Sequence, residues 1–106
     1  MGTEADERPT LRRTLAGSGR RARLAAWFVA HPGPPRPETH MPAAIATACG
    51  YTDPKGRLSC FNELARMHRV GLLTRHRDPA PPGRVRPVTY YSLSPVHLNE
   101  LLDPTT

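Results

Sequence analysis

The 13 prolines of this 106-residue chain constrain its fold more than any other feature. Proline lacks a backbone N–H and fixes φ, so it interrupts helices and central strands but is tolerated at the first position of a helix. Two proline-rich stretches, PGPPRPE at 32–38 and DPAPPG at 78–83, therefore predict loops. Pro42, Pro54 and Pro95 instead stand where a first-turn proline is compatible with a new helix.

Helical periodicity is clear in the N-terminal third of the chain. Leu11 and Leu15 lie one helical turn apart, which predicts a short helix over 10–16. After the GSG at 17–19, Ser18 can cap a second helix that begins with a cluster of arginines. Its apolar stripe repeats at i, i+3, i+4 and i+7 and consists of Leu24, Trp27, Phe28 and His31.

A third helix is predicted after the first proline-rich loop. Thr39 can cap it, and Gly50 ends it because glycine readily adopts the conformation found just after a helix. Its predicted buried stripe is Ala44, Ile45 and Ala48.

A fourth, longer helix is predicted over about 54–70. Asp53 and Pro54 make a cap followed by a first-turn proline, and Gly71 ends the helix. At about 100° per residue, one side is apolar and is predicted to face the core. That side consists of Cys60, Leu64 and Met67, with Phe61 at its edge.

The remaining segment predicts a β-hairpin. LLTRHR at 72–77 and VTYYSL at 88–93 suit two antiparallel strands, and the second proline-rich loop joins them. Tyr90 and Tyr91 should point to opposite faces, one of them onto the core. Ser94 and Pro95 begin a short last helix.

These elements predict a mainly α fold with a small β-hairpin, an α+β class. We expect a single domain over 10–102, preceded by a disordered acidic tail at 1–9 and followed by a tail at 103–106. The first ten residues are polar and lack the apolar stretch of a secretory signal, and no segment has the apolar length of a membrane span. A cytoplasmic location is therefore expected.

Charge adds an expectation about the partner. The formal net charge is +6, and all 15 basic residues lie between Arg8 and Asn99, where only four acidic residues accompany them. A surface this basic favours a polyanionic partner. Abundant arginine is also typical of GC-rich genomes, so the positions of the arginines have to decide.

On the fourth predicted helix, polar and basic residues recur at i, i+4, i+7, i+11 and i+14, opposite the apolar side. Each of them can hydrogen-bond to a base edge or a phosphate. They are Lys55, Ser59, Asn62, Arg66 and Arg69. Paired arginines also flank the hairpin loop, and within each pair the two-residue spacing places both on one strand face. These are Arg75 and Arg77 before the loop and Arg84 and Arg86 after it.

Over about 20–95 the chain resembles winged helix-turn-helix regulators of the ArsR and MarR kind. The segments that carry the resemblance are AAIATACGY, LSCFNELARMHRVGLLTRH and VTYYSL. The resemblance implies a three-helix core with a two-stranded wing and short flanking helices. It also implies binding to double-stranded DNA, with the recognition helix at about 54–70 in the major groove and the wing at about 72–93 on the backbone or minor groove. It specifies no operator and no small-molecule effector.

The expected function is therefore sequence-specific DNA binding by a transcriptional regulator, with repression favoured over activation. Ser59 and Asn62 are the predicted base readers, and the arginines are expected to contact bases or phosphates. The complete predicted nucleic-acid-binding set is Lys55, Arg57, Ser59, Asn62, Arg66, Arg69, Arg75, Arg77, Arg84 and Arg86.

A single recognition helix reads few base pairs, so a homodimer on two half-sites is expected. Apolar residues outside the motif are candidates for its interface, and the alternative is that they cover the domain's own core. They are Leu11, Leu15, Leu98, Leu101 and Leu102.

Other functions are possible on the same sequence. The fold could serve as a protein-docking module, or as a plasmid or phage replication and maintenance factor that binds DNA. Cys49 and Cys60 are expected to be reduced thiols, with a redox switch left open. No metal ligand set, cofactor motif, phosphate loop or nucleophile elbow is recognisable, so we expect neither an enzyme nor a cofactor.

Overall fold

Short helices separated by proline- and glycine-containing turns lead into a hairpin. A computed structural model describes residues 10–80, 82–83 and 85–97. Its elements confirm the predicted α+β class. They are α1 (Leu11–Ala16), α2 (Arg20–Ala30), α3 (Pro37–His40), α4 (Pro42–Ala48), α5 (Pro54–Arg69), β1 (Leu73–Asp78) and β2 (Val88–Leu93). Residues 95–97 form one helical turn, while the rest of the predicted last helix and both predicted tails lie outside the described residues.

The predicted cap of α5 at Asp53 is present, α1 has a further cap at Thr10, and the predicted cap at Ser18 is absent. The Thr10 hydroxyl accepts a hydrogen bond from the Arg13 N–H, and the Asp53 carboxylate accepts one from the Gly56 N–H, both at 3.1 Å. The prediction that Ser18 caps α2 is wrong, because Gly19 occupies that position and no side chain caps the helix. Gly19 has φ of 94°, which is accessible to glycine and turns the chain directly into Arg20.

The segment between α2 and α5 also differs from the prediction. A single helix capped by Thr39 was expected, but α3 already begins at Pro37, inside the stretch predicted to be a loop. α3 then stops at His40, because Pro42 lacks an N–H and favours an extended conformation at Met41, whose φ is −67° and ψ 150°. α4 therefore starts anew at Pro42, with Met41 as its N-cap.

One hydrophobic core is shared by α1, α2, α4, α5 and the hairpin. Its largest fully buried side chains include Phe28, Leu24, Ile45 and Leu64. Leu11 is also fully buried, so its predicted availability for a dimer interface is wrong and it belongs to the domain's own core. Leu15 is half-buried against the same core.

The predicted buried stripes are correct for α5 and partly wrong elsewhere. Cys60, Leu64 and Met67 are completely buried. On α4, however, Ala46 rather than Ala48 joins Ile45 in the core; Ala44 is half-buried and Ala48 is exposed in the last turn. On α2, His31 is exposed; it lies just after the helix and stacks on the Trp27 ring at a centroid distance of 4.3 Å.

The end of α5 determines where the hairpin begins. Gly71 has φ of 89°; its N–H donates to the His68 carbonyl at 3.0 Å, and the Leu72 N–H donates to the Met67 carbonyl at 2.9 Å. This pair of bonds satisfies carbonyls that the helix leaves free, and it reverses the chain so that Leu72 is buried. β1 then pairs antiparallel with β2, from Leu73 opposite Leu93 to Asp78 opposite Val88.

Replacing Gly71 by Ala should therefore destabilise the fold. A β-carbon in the left-handed region costs roughly 1–2 kcal/mol, and we expect a loss of that size in the free energy of unfolding by urea titration. Gly17→Ala is the matched control, because Gly17 has φ of −79°, which suits any residue. Equal effects of the two substitutions would contradict a conformational requirement at Gly71.

Candidate functional site

The side of α5 that faces away from the core carries exposed polar and basic side chains. Lys55, Asn62, Arg66 and Arg69 are exposed there, as the spacing predicts. Ser59 is only half-buried at the edge, because it lies nearer to the buried side than Asn62 does.

A leucine missed by the sequence interpretation occupies the centre of this outward side. Leu58 is 59% exposed and lies one turn before Asn62. Because leucine is apolar, it does not belong to the polar stripe that the sequence shows, although helical geometry alone places it opposite the core.

Arg57 lies at the flank of α5 rather than in the outward stripe. It is half-buried, and its guanidinium lies over the Phe61 ring, 6.0 Å from the ring centroid. Stacking of this kind holds the charge in place while leaving its N–H groups available to a partner.

The hairpin and its loop carry exposed basic side chains. Arg75 and Arg77 are both exposed and lie on the strand face that carries Leu73 into the core. Their partners across the hairpin are Tyr91 and Thr89. Arg86 is also exposed, whereas Arg84 lies outside the described residues.

The opposite face of the hairpin holds a hydrogen-bonded polar cluster. The His76 Nε2 and Ser92 Oγ are 2.8 Å apart, and the His76 ring stacks on Tyr90 with centroids 5.1 Å apart. The Tyr90 hydroxyl donates to the Asp78 carboxylate at 3.0 Å, an interaction that raises the pKa of Tyr90. Tyr91, on the other face, is buried, so the prediction that the two tyrosines face opposite ways is confirmed.

A third group of arginines, from the start of α2, flanks the turn between α4 and α5. The guanidinium groups of Arg20 and Arg23 both lie 5.5 Å from the centroid of the Tyr51 ring. Neither arginine takes part in an ion pair within the described residues. The sequence shows that these arginines cluster, but it gives no signal that a tyrosine some thirty positions later lies beneath them.

A carboxylate on the buried side of α5 connects that helix to α2. The Glu63 side chain is 10% exposed and receives a hydrogen bond from Arg21 Nε at 2.5 Å. Arg66 Nη1 approaches the other carboxylate oxygen at 3.5 Å, with a side chain that is 59% exposed. Arg66 is thus held near the helix surface while most of its guanidinium remains available.

The two thiols lie in environments that suppress their reactivity. Burial raises the pKa of Cys60 to about 11, and the neighbouring Cys49 also contributes to that increase. Burial raises the pKa of Cys49 as well. Both are free thiols, and a redox reaction requires the thiolate, so this environment disfavours the redox switch left open by the sequence.

A cavity of about 300 Å³ lies between the 31–36 loop and the base of the hairpin. Phe28, His40, His76 and Ser92 are among the residues that line it. Burial lowers the pKa of His40, whose Nδ1 lies 2.7 Å from the Thr39 hydroxyl. Within the described residues, no group of three or more His, Cys, Asp or Glu is placed to hold a metal ion.

Comparisons of the chain with protein-family models, curated proteins and solved structures gave no match. The functional interpretation therefore depends on the surface described above. None of the helices within the described ranges is long and apolar enough to cross a membrane.

Removing the arginine that accompanies Glu63 should destabilise the domain. Arg21→Met leaves a nearly buried carboxylate with only the weaker Arg66 contact, and we expect a loss of about 1–3 kcal/mol in the free energy of unfolding. The control is Arg36→Met, which removes the same charge from an exposed loop position. Adding Glu63→Gln to Arg21→Met should recover part of the loss; no recovery would contradict the role of the ion pair.

Proposed function

We propose that the protein binds double-stranded DNA as a winged helix-turn-helix regulator. In this proposal α4, the turn at Tyr51 and α5 form the helix-turn-helix, and the hairpin is the wing. The observation that carries it is the outward surface of α5, whose basic and amide side chains are exposed, together with the exposed arginines of the hairpin. α5 is the recognition helix, and its diameter fits the major groove.

The distribution of acidic residues supports this proposal. Asp53 is engaged in capping α5, Glu63 is paired on the core side, and Asp78 accepts the Tyr90 hydroxyl on the far face of the hairpin. Glu38 is exposed on α3, which packs against β2, and after the Asp78 hydrogen bond its charge contributes to the raised pKa of Tyr90 on the far face of the hairpin. The basic side chains of α5 and the hairpin therefore keep a net attraction for phosphates.

The individual residues have distinct proposed roles. Asn62 is the base reader, because an amide can donate to and accept from an adenine edge at once. Lys55, Arg66 and Arg69 contact phosphates or guanine edges beside it. Arg75, Arg77 and Arg86 contact the backbone or the minor groove, where a narrow groove concentrates negative potential.

Arg20 and Arg23 extend this surface on the side of the α4–α5 turn. Their stacking on Tyr51 restricts both side chains, so less entropy is lost when they bind a phosphate. The proposed surface thus has three parts, which are the outward side of α5, the hairpin and the Tyr51 arginine pair. The pair consists of Arg20 and Arg23, which stack on Tyr51.

The biological role follows from this activity. A cytoplasmic regulator that acts as a homodimer on two half-sites, and represses by occupying its operator, suits a single domain with one recognition helix. A protein-docking module is the second candidate, and the exposed Leu58 is the observation that favours it.

The proposed division between helix and hairpin is testable on purified protein. Wild-type affinity for duplex DNA should fall by more than about tenfold between about 50 and 200 mM salt, because bound arginines release counterions. Asn62→Ala should remove about 1–3 kcal/mol of preference for a selected site over random duplex. Arg75→Ala with Arg77→Ala should instead weaken binding to both duplexes alike. It should also reduce the salt slope, which is the steepness with which affinity falls as the salt concentration rises.

Fluorescence anisotropy with labelled duplexes measures all of these quantities. If the wild-type protein does not bind duplex DNA even at low salt, the docking module becomes the better description. If the two sets of substitutions change specific and random binding in the same way, the assigned roles are wrong.

The Tyr51 arginine pair gives a separate prediction. Arg20→Ala with Arg23→Ala should lower affinity for every duplex and reduce the salt slope by about 1–2, because up to two phosphate contacts disappear. Arg20→Lys with Arg23→Lys keeps the charge and should keep most of the slope. An unchanged slope in the alanine variant would place these arginines outside the interface.

A further inference from the structure

Leu58 occupies the position on α5 that points most directly away from the core. Helical geometry at about 100° per residue places it nearly opposite the buried Cys60 and Met67, and close to the line of Asn62 and Arg69. It is 59% exposed, and the neighbouring residues on this side, Lys55 and Asn62, are polar and exposed too. If α5 enters a major groove, Leu58 is therefore among its most deeply inserted side chains.

The chemistry of the groove limits what a leucine can meet there. The major-groove edges of the bases present hydrogen-bond donors and acceptors, and the apolar group among them is the C5-methyl of a pyrimidine. Covering a donor or acceptor with a leucine leaves that group without a partner, which costs free energy. Contact with a methyl group removes apolar surface from water on both sides and is favourable.

We propose that Leu58 recognises the C5-methyl group of a pyrimidine in the major groove, next to the base read by Asn62. The inference depends on the proposed function and adds a specificity determinant to it. Thymine and 5-methylcytosine both carry this methyl group. The preferred half-site therefore contains a methylated pyrimidine at a position that Asn62 alone does not determine.

A protein partner is the competing occupant, and the distribution of apolar surface argues against it. The other large exposed apolar side chain on this helix segment, Val70, comes twelve residues after Leu58, about 18 Å along the helix axis. Its helical phase also differs from that of Leu58 by about 120°. The two side chains thus form no continuous patch of the kind that marks a protein-docking surface.

The test uses the full chain and a duplex selected from random sequence by the wild-type protein. Each thymine of that duplex is replaced in turn by deoxyuridine, which removes only the methyl group, and the dissociation constant is measured by anisotropy. At one position per half-site, we expect the affinity of the wild-type protein to fall by about threefold to fivefold when the thymine is replaced. This is the size expected for one buried methyl group. Leu58→Ala should bind the thymine and deoxyuridine duplexes equally.

A second arm separates the two sources of the methyl group. At the same position, a C·G pair replaces T·A, with the cytosine either unmodified or methylated at C5. A wild-type preference for the methylated cytosine that Leu58→Ala lacks would support recognition of the methyl group itself. Preference for thymine without preference for 5-methylcytosine would support the proposal with thymine as its source.

Several outcomes would overturn the proposal. These are a wild-type protein insensitive to every thymine-to-deoxyuridine change, or a Leu58→Ala variant that retains the sensitivity. Loss of duplex binding by the wild-type protein would defeat the proposed function as well, whereas methyl insensitivity with intact binding defeats this inference alone. Leu58→Ser, checked for folding by circular dichroism, is a second variant that should behave like Leu58→Ala because the position is exposed.

Discussion

The orientation of α5 depends on how its buried side is held. Cys60, Leu64 and Met67 pack into the core, and Glu63 receives the Arg21 side chain from α2 on the same side. An ion pair that is mostly removed from water costs free energy if its partners separate, so it resists rotation of α5 about its axis. Because the inward side is determined in this way, Leu58, Asn62 and Arg69 point outward.

The same arrangement separates the charges of the domain. Glu63, Asp53 and Asp78 serve in the interior, in a helix cap and on the far face of the hairpin, and Glu38 is exposed on α3. By contrast Arg69, Arg75 and Arg77 are exposed and form no ion pair within the described residues. Arg57, Arg20 and Arg23 are instead held over aromatic rings, which restrict them without neutralising them. The result is an exposed, basic surface, which supports the proposed binding of DNA.

Local chemistry made much of this predictable from the sequence. Asp53 before Pro54 and Gly71 after the helix determined the bounds of α5, and the strand of 88–93 was predicted at the bounds observed. The break at Met41 was missed, because a first-turn proline was read as compatible with one helix although it also restricts the residue before it. The Tyr51 arginine pair and the contact between Arg21 and Glu63 could not be predicted, since both join residues that only the tertiary fold brings together. Leu58 is a different case. Its place on the outward side of α5 follows from helical geometry, but an apolar side chain there does not by itself indicate a function.

The most direct test of this account is to map the surface that duplex DNA contacts in the folded protein. Titration of an isotopically labelled sample with a short duplex, followed by amide chemical shifts in NMR spectra, provides that map. We predict the largest shifts along the outward side of α5 and at Arg75 and Arg77, and small shifts around the cavity beside His40. Shifts concentrated at the cavity, or an absence of shifts at saturating duplex, would contradict the assignment of α5 and the hairpin as a DNA-binding surface.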